Sequence, residues 1–120
     1  SNLDALDNQL KRALNEAVGV AGVECKVEIM GERPSGGTSA DSTIVQAAMA
    51  ITKRFGVEPQ LDVGSTDANI PMSMGISAIA IGGGGTSGGV HTPEEWFDPT
   101  HRDLGLHRLI ALIAILAGLA

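Results

Sequence analysis

The sequence predicts an α/β fold, and three observations carry that expectation. From residue 38 onward, helix-like and strand-like segments alternate, which is the order of a parallel or mixed sheet with flanking helices. Residues 76–81 are apolar apart from Ser77, as expected for an interior strand buried on both faces. Residues 82–89 then form a loop almost without side chains, at the strand end where open α/β sheets bind their ligands.

Taken in order, Leu3, Leu6, Leu10, Leu14 and Ala17 recur at spacings of three and four, with Asp4, Asp7, Lys11, Arg12 and Glu16 between them. That is an amphipathic helix, stopped by Gly19. Val23, Cys25, Val27 and Ile29 alternate with Glu24, Lys26 and Glu28, the period of a strand with one covered and one wet face. Gly31-Glu32-Arg33-Pro34-Ser35-Gly36-Gly37 breaks regular structure, so a boundary is expected there, with one domain over 1–33 and a second over 34–120. Asp41 or Ser42 can cap a helix reaching about Phe55, with Ile44, Ala47, Ala48, Ile51 and Phe55 inward. Residues 60–63 read as a short strand. Ser65-Thr66-Asp67 reads as the capped start of a brief helix shaped by Pro71 and ended by Gly75. Residues 91–98 follow the glycine loop, and after Pro99 a long terminal helix begins near Thr100.

Composition narrows the function. The chain has 120 residues, 43% of them hydrophobic and 18% charged, which suits a globular chain of ordinary domain size. A net charge of -6 argues against nucleic acid, whose phosphates call for a Lys/Arg surplus. The one cysteine, Cys25, excludes an intramolecular disulfide and any multi-cysteine zinc site, and fits a reducing compartment. Residues 109–120 are wholly apolar, but a spanning helix needs about 20 such residues. A buried helix, no membrane partner and a cytoplasmic location are expected, since no signal peptide is visible.

Chemistry concentrates in Gly82-Gly83-Gly84-Gly85-Thr86-Ser87-Gly88-Gly89-Val90-His91-Thr92-Pro93-Glu94-Glu95. Gly85-Thr86-Ser87-Gly88-Gly89 satisfies the G-x-S-x-G of a serine-hydrolase elbow, which needs a strand entering and a helix leaving the serine. Glycines surround Ser87 instead, and no acid lies between it and His91. Gly83, Gly85 and Gly88 fit a phosphate-binding G-x-G-x-x-G, but no P-loop lysine is present and no helix is expected next. A metal site is the third reading: His91 is a zinc-type ligand, with Glu94 or Glu95 able to orient it. A catalytic zinc takes about three protein ligands, and His101 and His107 fall on or beside the terminal helix. A glycine-rich turn whose histidine bonds only locally explains the same residues.

The ordered run of Ser65-Thr66-Asp67-Ala68-Asn69-Ile70-Pro71, Gly75-Ile76-Ser77-Ala78-Ile79, the glycine loop and His91-Thr92-Pro93-Glu94-Glu95-Trp96 is very similar to the carboxyl-terminal end of the di-zinc exopeptidases. That family includes tripeptide aminopeptidase, acetylornithine deacetylase, aminoacylase and the glutamate carboxypeptidases. Gly31-Glu32-Arg33-Pro34-Ser35-Gly36 resembles the family's return from an inserted lid to the catalytic domain.

The resemblance covers essentially the whole chain. It implies the second half of a zinc-exopeptidase catalytic domain, preceded by the last helix and strand of a ferredoxin-like lid or dimerisation domain. It implies two zinc ions that activate a water, a glutamate as general base, and a small peptide or N-acyl amino acid as substrate. A homodimer formed through the lid is implied as well.

His91 would ligate one metal, and Arg33 would bind a substrate carboxylate through its bidentate fork. Asn69, Gly83 and Gly84 would lie on the substrate side, with Asp67 and Glu94 behind the metal ligands. A surface arginine and simple helix capping account equally for Arg33 and for the 65–69 turn. The family's remaining metal ligands and its Glu-Glu pair have no counterpart in these residues, so the 120-residue chain is expected to be inactive alone. A non-catalytic dimerisation or binding module is the alternative, and a serine hydrolase using Ser87 a more remote one.

Overall fold

A computed structural model describes residues 2–22 and 24–119. The chain divides into two compact units, Ser1–Ser35 and Gly36–Ala120.

The first unit is built on α1, Asn2–Ala21. The helix runs through Gly19, because one glycine costs only about 1 kcal/mol in a helix interior. Lys11 reaches back one turn to Asp7 at 2.6 Å, the favourable acid-first order for such a pair. The expected strand that follows does not form. Val23 lies outside the described residues, and residues 24–35 carry no regular structure. Val27 and Ile29 are exposed, so the alternation has no covered face to express. A strand holds only when a neighbour pairs its backbone.

In the second unit, α2 spans Thr43–Arg54 and α4 Arg102–Leu116, with a five-residue helix, α3 (Asn69–Ser73), between them in sequence. The helices α2 and α4 pack together. Val45 and Ile51 on α2 and Leu112 on α4 form the small buried apolar set. Val45 replaces Ile44 as the most buried residue of the first turn of α2; Ile44, Ala47, Ala48 and Phe55 are half-buried. Ser42 occupies the N-cap of α2 without a side-chain capping bond, and α4 begins two residues after Thr100.

The single sheet among the described residues is an antiparallel hairpin, β1 (Thr86–Gly88) with β2 (Trp96–Asp98), in the register Thr86↔Asp98, Ser87↔Phe97, Gly88↔Trp96. Part of the glycine segment expected to be loop is therefore strand. Its glycines make room for aromatic rings: a Cβ at Gly88 would sit 2.7 Å from the Trp96 ring, and one at Gly85 2.7 Å from Phe97.

Residues 60–63 and 76–81 form no ladder. One contact stands in for a neighbouring strand. The Thr38 hydroxyl donates to the Ala78 carbonyl at 2.6 Å and accepts the Ala78 N–H at 3.0 Å. Thr38→Val keeps the shape but orphans both backbone groups, each costing about 1–3 kcal/mol when buried. Since Ala78 is only half-buried, water can reach both groups, and a combined loss of about 1 kcal/mol is expected. A drop in melting temperature of roughly 4–8 °C for Thr38→Val, and little change for Thr38→Ser, would show it by circular dichroism.

Candidate functional site

The hairpin lifts His91 to its tip. Gly89 turns the chain with φ 61° and His91 follows at φ 65°, both in the left-handed region. Thr92 then closes the turn, its N–H and hydroxyl both donating to the Gly89 carbonyl at 3.0 and 2.7 Å. The Glu95 N–H donates to the Thr92 carbonyl at 3.1 Å, and the Glu95 carboxylate accepts the His91 N–H at 3.3 Å. These bonds lock the loop backbone and leave the exposed His91 imidazole outside it. Left-handed geometry in a non-glycine residue carries strain that the surroundings must enforce, and such strain concentrates at functional sites.

The carboxyl end of the hairpin is tied to α4. Asp98 accepts the Thr100 hydroxyl at 2.6 Å and the Thr100 N–H at 2.9 Å through one oxygen. His101 enters α4 at φ 62°. The Thr100 hydroxyl first, its N–H second and the nearby His101 least hold the Asp98 carboxyl below its ordinary 3.8. A carboxyl depressed in the folded state stabilises above its unfolded pKa, and that stabilisation is lost as pH falls through the lower folded value. Acidification below 3.8 should therefore loosen the hairpin junction, seen as a change in Trp96 fluorescence. Thr100→Ala should flatten that acid response.

The expected site residues fall in several places. Glu94 is exposed in the hairpin loop. Asn69 opens α3, and its side-chain oxygen accepts the Thr66 N–H at 2.9 Å. The turn-forming role thus has a bond in the structure, although the N-cap proper is Ala68 and carries no side-chain cap. Asp67 beside it is exposed, and Arg33 is exposed in the first unit. Gly83 and Gly84 abut α4: Gly84 has φ 82°, and a Cβ there would lie 3.0 Å from the Arg102 Cα.

Among the described residues of the second unit, two clefts stand out. The larger, about 540 Å³, is lined by Thr38, Val45, Asn69, Ile79, Gly82 and Arg108 among others. The smaller, about 500 Å³, holds Gly83 with Arg102 and Asp103. His91 lines neither, so the structure does not gather Asn69, Gly83 and His91 at one point.

Sequence reading passed over Arg108. With His107 it stands directly before the wholly apolar residues 109–116 of α4, and that position was its signal. Its guanidinium donates to the Gly82 carbonyl.

His91 with neighbouring glutamates has zinc-type donor chemistry, but among the described residues no group of three or more His, Cys, Asp or Glu is placed to hold a metal ion. Ser87 sits inside β1 opposite Phe97 and leads into a loop, whereas a nucleophile elbow turns directly into a helix. A fluorophosphonate probe should leave Ser87 unlabelled. No helix among the described residues is long and apolar enough to cross a membrane. No protein-family model matches this chain, and no curated protein matches it.

Proposed function

We propose that this chain is the carboxyl-terminal part of a zinc-dependent exopeptidase or amidohydrolase acting on small peptides or N-acyl amino acids in the cytoplasm. The observation that carries the reading is the ordered run from Ser65 through Pro71, Gly75-Ile76-Ser77 and the glycine loop to His91-Thr92-Pro93-Glu94-Glu95. Its support in the fold is a hairpin whose backbone bonds hold the loop and leave the His91 imidazole exposed.

In this reading His91 is one ligand of a two-zinc centre, and Arg33 receives a substrate carboxylate. Asn69, Gly83 and Gly84 serve the substrate side, with Asp67 and Glu94 as outer partners of ligand groups. The remaining ligands and the general base come from sequence outside these 120 residues. The reading frame upstream of Ser1 is the test: an H-x-D motif and a Glu-Glu pair are expected there, and a frame with neither overturns the assignment. The purified chain should hydrolyse no tripeptide or N-acyl amino acid and hold fewer than two zinc ions per chain. Turnover, or two zinc ions, would overturn its status as an incomplete part.

A second reading has its own observation. Leu3, Leu6 and Leu10 are about half exposed or more along one stripe of α1, a face suited to a second copy of the chain. The chain would then serve as a dimerisation module. Light scattering separates this from a concentration-independent monomer.

A further inference from the structure

We propose that Arg108 is a positioning residue that latches the His91 hairpin to α4. One face of that helix meets the chain entering the hairpin. Residues 82–84 are all glycine, so the approach is made by backbone. The position of a Cβ on Gly105 lies 2.2 Å from the Gly83 carbonyl oxygen, and one on Gly84 would lie 3.0 Å from the Arg102 Cα. One turn beyond Gly105, the Arg108 guanidinium donates to the Gly82 carbonyl, while its Nε is buried without a partner. At the far end of the hairpin, the Arg102 guanidinium lies over the Phe97 ring, 6.0 Å from its centroid.

These contacts divide the labour. Glycine backbones give close approach but little direction, and the Arg102 stack tolerates sliding. A charge-assisted hydrogen bond is directional and about twice as strong as a neutral one. Arg108 therefore decides where the entering chain starts and, through β1, where the tip stands. What the tip presents rests on the proposed role of His91; the latch rests on the contacts of α4 alone.

The test is amide hydrogen exchange, with Trp96 fluorescence anisotropy alongside, on the whole chain carrying Arg108→Met or Arg108→Lys. Loss of a hydrogen bond to a charged group should speed exchange of the residue 86–98 amides by about tenfold. The α2 amides should keep their rates and Trp96 should become more mobile. Arg108→Lys retains a donor and should recover part of the protection. Unchanged hairpin exchange in Arg108→Met overturns the latch, and so does an equal rise across α2, which marks general destabilisation. Should Arg108→Met fail to fold, Arg108→Lys decides: selective loss of hairpin protection supports the latch and unchanged exchange overturns it. No metal is added, so the outcome is independent of whether His91 binds zinc.

Discussion

Gly105→Ala should lower the melting temperature of the chain by about 10 °C or more. The added Cβ would lie 2.2 Å from the Gly83 carbonyl oxygen and 2.6 Å from the Gly84 nitrogen. Both obstacles are backbone atoms, so no rotamer change relieves the clash; either α4 or the glycine segment must move. Alanine gains about 1 kcal/mol over glycine in a helix interior. Overpacking that shifts backbone costs about 1–3 kcal/mol and occasionally more. The segment is already held by Arg108 on Gly82 and by the fit of Gly84 against Arg102, which places the cost at or above the upper end. A net loss of about 2 kcal/mol follows, at roughly 4–8 °C per kcal/mol for a unit of this size. Gly19→Ala is the contrast, because a Cβ there meets nothing within 4 Å. It should stabilise α1 slightly. A Gly105→Ala variant that melts at or above the parent temperature would show that α4 does not seat on residues 83–84.

The second large effect concerns His91 and has opposite signs for stability and function. At φ 65° a side chain costs about 1–2 kcal/mol relative to glycine in the left-handed region. Glycine gives back about 0.5–1 kcal/mol through the greater freedom of its unfolded chain. His91→Gly should therefore exceed the parent by about 0.8 kcal/mol, and by about 1.5 kcal/mol at most, whereas His91→Ala keeps the strain and gains nothing. Denaturant midpoints give this order directly. In the assembled enzyme proposed above, both variants lose the imidazole, and metal-dependent hydrolysis should fall by at least about 100-fold. A hairpin that gains stability when its histidine is removed would identify the strain as serving something other than the fold. Equal stability of the glycine and alanine variants would remove that argument.

Much of the helical framework was legible in local pattern. The Leu3, Leu6, Leu10, Leu14 stripe marks α1, and the Ile51-centred face marks α2. Helices satisfy their own backbones, so periodicity in one segment is enough to announce them. The strands expected at 23–29, 60–63 and 76–81 had no such independence. Their side chains follow strand patterns, yet each needs a neighbouring strand; in place of one, the Thr38 hydroxyl bonds both backbone groups of Ala78.

The hairpin was obscured for the reverse reason. Thr86, Ser87 and Gly88 have the composition of a loop, and their pairing depends on Trp96 and Phe97 folding back over glycines. The candidate site shows the same division. His91 stood out through its motif context, while its left-handed backbone, the Thr92 and Glu95 bonds that hold its loop, and the Arg108 latch require the folded chain.

By itself, then, the sequence determined the helices and the irregular run at residues 31–37, and it picked out the candidate segment around His91, because those depend on neighbours a few positions apart. Tertiary structure alone decided that part of the glycine segment pairs as β1. It also decided that Gly105 must lack a side chain, and that Arg108 reaches across 26 positions to Gly82. These outcomes depend on contacts between distant segments, where a hydrogen bond or a missing methyl group has no local periodic signature.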